Sequence, residues 1–255
     1  MEMLELFDRF IFGVEKSIKL ATSHYFKNYY KNDALKMDFL VESHGGAQGG
    51  FICKIQDTEE FFVKNHTFMA SRGSQHSRFD CREIFVYHLL HLIGVGPEPH
   101  FIPDAYSKPC TSYLALHIAM KKVPGFNTCA DRASCHLTSH DQLQLDMLKR
   151  LLYLDDLNYG LDEEKKLVII DFMIQNLTNC VHHPSEISDF MEKNQQEECK
   201  EILTKWNILE NFNKAKSVAK TDFDRLSNIG WKEGYETYLE AVVKNIELMM
   251  KLVNF

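Results

Sequence analysis

Hydrophobic positions recur along this chain in two rhythms. Through the first 35 residues Leu4, Phe7, Phe10, Ile11, Val14, Ile18 and Leu20 fall at helical spacing, which predicts one or two amphipathic helices capping the rest of the fold. From Lys36 the period shortens. Residues 36 to 43 (KMDFLVES), 51 to 56 (FICKIQ) and 60 to 64 (EFFVK) are short apolar runs broken by HGGAQGG and by Asp57-Thr58-Glu59, the pattern of three antiparallel strands. A polar loop over 71 to 80 then leads into CREIFVYHLLHLIGVGPEP. There Ile84, Tyr87, Leu90 and Leu92 make an apolar helical face, and Gly94 and Pro97 supply a stop. Two more strands are predicted, over 100 to 102 and 112 to 119.

After Pro124-Gly125 the pattern turns helical. Residues 138 to 154 predict a helix with Ser139 as cap, acids early and Lys149-Arg150 late, matching the helix dipole. A hairpin comes next: NYGLD, a charged turn EEKK, then LVIIDF. From about residue 184 no further strand is evident, and three or four helices are expected, the last over 234 to 253. The predicted class is α+β: a helical extension (1–35), a lobe built on a small antiparallel sheet with one helix (36–123), and a mainly helical lobe (124–255).

Composition narrows the field. With 255 residues, 45% hydrophobic and 25% charged, the chain can bury a core as one large domain or two small lobes, which excludes disordered and fibrous classes. No apolar run approaches the roughly 20 residues of a spanning helix, and the start lacks the pattern of a secretory signal. An integral membrane protein is therefore not expected. A net charge of -7 argues against a nucleic-acid coat, which needs excess Lys and Arg, but leaves room for a local basic pocket. The seven cysteines are an odd number, widely spread and without a CxxC pair. They read as free thiols, and with the missing signal they predict a cytoplasmic protein.

Four residues stand in an order that carries chemistry. Lys64 ends the third strand, in FFVKNH, and Glu83 lies in the next helix, 83 − 64 = 19 residues on. Asn158 opens the hairpin, and Asp171 lies at the end of the apolar strand VIIDF, 171 − 158 = 13 residues later. Phosphoryl transfer needs a cation on the nucleotide phosphates, an anion fixing that cation, oxygen ligands for a metal, and a carboxylate near the acceptor hydroxyl. These residues and spacings resemble those of protein kinases.

That resemblance implies a two-lobed kinase-like fold, ATP as substrate, and Mg²⁺ as cofactor with Mn²⁺ as a substitute. Lys64 would meet the phosphates, Glu83 would fix Lys64, and Asn158 and Asp171 would hold the metal. Gly46, Gly49 and Gly50 of HGGAQGG look like a shortened glycine-rich loop, whose bare backbone can approach phosphate oxygens. Met120 and Val123 would form the adenine-side wall and hinge. The departures are as informative. Tyr153 occupies the usual place of the catalytic-loop aspartate, and Asp155 and Asp156 stand closer to Asn158 instead, with Asp156 marginally preferred as the acid beside the acceptor. Met173 replaces the glycine of the DFG segment, and no APE segment is present after it.

The chain thus resembles divergent kinases among bacterial effector proteins, and more distantly HipA-like and phosphoinositide-kinase-like groups; an effector would act in a host cytosol. The implied activity is transfer of the γ-phosphate to a hydroxyl, with a protein as acceptor. The alternatives are a phosphoinositide or inositol-phosphate kinase, a catalytically inactive pseudokinase that binds nucleotide or a partner, and an unrelated α+β interaction protein. Arg72, Arg78, Arg82, Lys121, Lys122 and Arg132 could make a basic surface for an inositol phosphate or phosphoinositide, although no run clusters them. Cys180 with His182-His183, and Cys129 with Cys135-His136, lack the four-ligand spacing of structural zinc. His88 and His91 read as partly exposed or core histidines.

Overall fold

The computed structural model describes residues 2–41, 50–65, 79–103, 116–129, 136–175, 187, 190, 196–226, 230–231 and 234–254. The chain is α+β and divides into two compact units: Met1–Asp80, Glu98–Lys122 and Asp222–Trp231 form the first, and Cys81–Pro97, Val123–Thr221 and Lys232–Phe255 the second. One passage between them therefore falls at Lys122–Val123. A second, after Asp80, places the helix that comes after the third strand with the second unit.

In the first unit a single helix, α1 (Glu2–Tyr29), precedes the strands β1 (Met37–Val41), β2 (Gly50–Ile55) and β3 (Glu59–Asn65). The chain returns with β5 (Pro99–Pro103) and β6 (Leu116–Lys121). All five join one antiparallel sheet in the order β1-β2-β3-β6-β5, so β6 lies beside β3 and β5 takes the edge. Because strand side chains alternate between faces, register sorts the residues. Phe51, Cys53, Ile55, Phe61, Val63, Ala119 and Ile102 share the face against which Ile18, Ala21 and Phe26 of α1 pack. The rings of Phe26 and Phe61 are 4.7 Å apart by centroid. Leu20, expected on the apolar face of this helix, is instead exposed, since it falls between the buried turns set by Ile18 and Ala21.

The polar end of the predicted loop over 71 to 80 is also corrected. Phe79–Asp80 is a two-residue strand, β4, and pairs in parallel with Gly230–Trp231 (β10), a strand the sequence reading did not place. Two residues hold no period, and the partners lie about 150 residues apart.

The second unit begins with α2 (Cys81–Leu92), which is buried continuously from Ile84 to Leu90 and so exceeds the single apolar stripe expected of it. A short strand, β7 (Asn127–Thr128), leads to α3 (Ser139–Leu152). Its cap is Thr138, not Ser139. The Thr138 hydroxyl accepts from the Asp141 N–H at 3.1 Å while the Thr138 N–H donates to the Asp141 carboxylate at 3.0 Å, a reciprocal capping box that a cap at Ser139 would place one residue out of register. β8 (Leu154–Leu161) and β9 (Leu167–Ile174) then form the hairpin, with β7 on its outer edge. Its strands run further than the expected NYGLD and LVIIDF, so Asn158 and Asp171 lie within them and not at the hairpin's opening and a strand end. In its turn the Asp162 carboxylate accepts the N–H groups of Glu164 and Lys166 at 2.9 and 2.8 Å.

The remaining described helices are α4 (Gln196–Lys205), α5 (Ile208–Arg225) and α6 (Tyr235–Leu252). Phe85 of α2 meets Phe212 of α5 edge-on at 5.2 Å, and Trp206, Tyr238, Val242 and Ile246 complete the buried interior. Cys129 is disulfide-bonded, which corrects the reading of all seven cysteines as free thiols: separation in sequence does not report separation in space. Its partner lies outside the described residues. Cys53, Cys81 and Cys199 are buried and form no disulfide. Among the described residues no helix is long and apolar enough to cross a membrane.

Candidate functional site

The sheet of the first unit presents Lys64 on the face opposite α1. Lys64 pairs with Gly50 on β2 and with Ile118 on β6, while Phe62 pairs with Ile52 and Met120. Gly50, Phe62, Lys64, Ile118 and Met120 therefore share one face, and Lys64 is buried there, only 4% exposed. An amine with four methylenes can lay its stem along Phe62 and Ile118 and keep its charge at the end. Gly50 has its own packing reason to lack a side chain: a Cβ there would stand 2.6 Å from the Phe62 ring. Gly46 and Gly49 lie outside the described residues. Lys64 belongs to the first unit and Glu83 to the second.

In the second unit Asn158 and Asp171 face each other across the β8–β9 ladder as direct partners. Side chains at such positions start from Cβ atoms roughly 4.5–5.5 Å apart, so the Asn158 amide and the Asp171 carboxylate leave the hairpin on the same side. The register shifts on both sides of this pair, between Asp155 and Asn158 and between Asn158 and Tyr159. Bulges of this kind turn side chains away from regular pleating. Asp155 and Asp156, both exposed, lie in the irregular stretch. Asp156 has φ 45°, the left-handed region, and its N–H donates to the Asp155 carboxylate at 2.9 Å.

Tyr153 stands at the junction of α3 and β8. It is buried, takes φ 53° as the helix C-cap, and directs its N–H to the Lys149 carbonyl. Its own carbonyl accepts the Gln175 N–H at 2.9 Å, which closes the far end of the hairpin. The last carbonyls of α3 are claimed from α6: Tyr238 donates to Leu152 at 2.8 Å and Asn245 to Arg150 at 3.0 Å. The start of β8, which bears Asp155 and Asp156, therefore springs from a helix end that is fixed on several sides.

Asp171 is held from α2. The Tyr87 hydroxyl donates to Asp171 Oδ1 at 3.2 Å, and the Tyr87 ring lies 4.6 Å by centroid from that of Phe172. Burial above all, and then the negative charges of Asp171 and Glu83, hold the Tyr87 phenol well above the usual tyrosine range, so it is a permanent donor. In sequence Tyr87 reads only as part of the apolar helical face, and the structure adds its hydroxyl's bond to Asp171. The available signal was its spacing: Tyr87 lies four residues after Glu83 and so shares its face of α2. One turn earlier Arg82 donates to the Gln175 carbonyl at 3.3 Å and lies over the Tyr238 ring. The helix is thus tied to both ends of the segment from Asp171 to Gln175.

The donor set suits Mg²⁺, a hard cation that takes one or two protein oxygens and completes its shell with water and phosphate. Among the described residues no group of three or more His, Cys, Asp and Glu side chains comes together as a ready-made metal cage. The expected basic surface fares less well. Lys121 pairs with Glu59 at 2.8 Å and Lys122 with Glu60 at 2.6 Å, Glu60 also receiving Lys54 at 2.7 Å. The amine of Lys121 is held above its ordinary value by its hydrogen bond to Glu59. With Arg82 occupied by Gln175 and Tyr238, the three members of that surface among the described residues are each engaged within the fold; Arg72, Arg78 and Arg132 lie outside them. His88 is buried and His91 exposed.

Comparison of the chain with protein-family models, with curated proteins and with solved structures finds no match.

Proposed function

We propose that the protein is an ATP-dependent, Mg²⁺-requiring phosphotransferase of the atypical protein-kinase type, acting on a hydroxyl of a protein substrate. The observation that carries this reading is the direct pairing of Asn158 with Asp171 beside two exposed acids. Kinase chemistry draws its metal ligands from a catalytic-loop asparagine and the DFG aspartate, and here an asparagine and an aspartate are cross-strand partners within β8 and β9. Further support comes from the sheet, where the third strand carries a buried lysine across from a glycine and on the same face as Met120.

In this reading Lys64 neutralises phosphate oxygens of ATP, and Glu83 keeps the part of partner acid that the kinase resemblance gives it. Asn158 and Asp171 supply metal oxygens. Bound Mg²⁺ would contribute neutralisation of the charge on the transferring group. Asp156, or Asp155, accepts the proton of the acceptor hydroxyl as its oxygen bonds to the γ-phosphorus. The bond from that phosphorus to the bridging oxygen breaks, and ADP leaves with the electron pair.

A pseudokinase is the second reading, because Tyr153 is buried at the position where kinases place the aspartate of the catalytic loop and no carboxylate replaces it there. Labelled ATP with Mg²⁺ or Mn²⁺, offered with protein and inositol-phosphate acceptors, separates the two. Incorporation that Asp171→Ala abolishes supports the phosphotransferase. Nucleotide binding without transfer favours the pseudokinase, and transfer that survives Asp171→Ala removes the site assignment.

A further inference from the structure

We infer that Tyr87 is a positioning residue for the metal-binding carboxylate: its hydroxyl fixes the orientation in which Asp171 presents its oxygens beside Asn158. This rests on the phosphotransferase reading and adds a residue to it. Tyr87 is 2% exposed, so the hydroxyl has no solvent to turn to, and it reaches Asp171 Oδ1 at 3.2 Å. The ring is clamped against Phe172, the residue next to Asp171 in the strand. Donor and acceptor are therefore fixed by neighbouring positions on one strand, and the carboxylate cannot rotate without breaking the bond. A carboxylate oxygen carries two lone pairs, so accepting from Tyr87 leaves capacity for a cation. Partners of this kind orient metal ligands, and their loss typically costs about 10- to 100-fold in metal affinity or activity.

The hydroxyl is separable from the packing. Tyr87→Phe keeps the ring against Phe172, and Asp171 is only half-buried, so water can take the place of the lost donor. The test titrates Mn²⁺ into wild-type protein and Y87F, each with the non-hydrolysable analogue AMP-PNP, and reads free Mn²⁺ by electron paramagnetic resonance. Circular-dichroism melts run alongside. The expected result is a cooperative melt for Y87F with apparent Mn²⁺ affinity lowered about 10- to 100-fold, and no further loss on adding Y87F to Asp171→Asn. In turnover, excess Mn²⁺ should restore the Y87F rate while KM for ATP at saturating metal stays unchanged.

Wild-type Mn²⁺ affinity in Y87F overturns the positioning role while leaving the phosphotransferase reading to its own assay. A Y87F chain that does not melt cooperatively makes the hydroxyl a structural requirement and overturns it equally. Failure of the wild type itself to bind Mn²⁺ with AMP-PNP removes the metal site, and the functional reading with it.

Discussion

Asn158 and Asp171, 13 residues apart in the chain, are direct partners across an antiparallel ladder that is irregular on either side of them. A regular hairpin would leave such a pair as one more polar rung. The bulges instead isolate it, and the exposed Asp155 and Asp156 lie at and within the register shift that precedes it. If the pair binds one metal ion, its members act as a unit. Asn158→Ala and Asp171→Asn should each lower phosphate transfer at least about 100-fold, and the double variant should lose little more. Initial-rate measurements at saturating ATP check this; additive losses would separate the two residues.

Asp156 and Asp155 are distinguishable by what each does for the backbone. Asp155 accepts the Asp156 N–H, whereas Asp156 has a left-handed φ that glycine takes without strain. Asp156→Gly should keep stability within about 1 kcal/mol of wild type, relief of strain and loss of chain stiffness offsetting each other. Its turnover should fall by about 10²- to 10⁴-fold, the range for loss of a general base. Asp155→Asn should cost less than about tenfold. Urea titration and turnover on the same samples read both effects, and the reverse ranking would assign the proton acceptor to Asp155.

Stability should fall steeply in alkali. Burial, reinforced by Asp38, pushes the Cys53 thiol up to about 12, and burial with Glu198 pushes that of Cys199 up to about 11; burial likewise raises Tyr25 to about 12. A folded-state pKa above the unfolded value means that the folded chain keeps protons the unfolded chain has released. The stabilisation is complete below the ordinary thiol and phenol values, 9.0 and 10.0, and is lost as pH rises past them toward 12. Urea midpoints should be flat in this respect up to about pH 8.5 and then decline. A midpoint that holds or rises between pH 9 and 11 would contradict the assignment.

Gly160 is a packing requirement. A Cβ there would lie 2.1 Å from the Asn127 carbonyl, so Gly160→Ala must push β7 off β8. A loss of at least about 1–3 kcal/mol is expected from overpacking, measured as a lower urea midpoint. Faster hydrogen exchange at the Cys129 N–H, which donates to the Tyr159 carbonyl, should accompany it.

The α3 cap offers a milder perturbation. Thr138→Ala removes the hydroxyl that accepts the Asp141 N–H and should cost about 1 kcal/mol. The hairpin should be untouched, so nucleotide-dependent signals should persist in this variant at temperatures below its melting transition.

Legibility from sequence tracked period and length. β2, β3, α2, α3 and the β8–β9 hairpin each repeat a spacing long enough to recognise, and the spacings of Lys64, Glu83, Asn158 and Asp171 were visible with them. β4 and β10 hold two residues each and meet only through the fold. The bulges around Asn158 leave no trace in spacing, because a bulge is a property of two strands and not of one. Tyr87 reads as an apolar position, since a tyrosine is mostly ring; its hydroxyl acquires a role only where β9 brings Asp171. Cys129 shows the same limit, its disulfide having no signature in the spacing of seven cysteines.

The hydrogen bonds from Tyr238 and Asn245 to the end of α3 set an order of events during synthesis. Chains fold from the N-terminus as they emerge, at about 5–20 residues per second. Lys64, Asn158 and Asp171 are all translated before α6 exists. Until residues 235–252 leave the ribosome, the carbonyls of Arg150 and Leu152 lack their partners from α6, and the acid-bearing start of β8 has no finished anchor. The nascent protein therefore spends several seconds holding its candidate chemical groups without this support, and competence should arrive with α6.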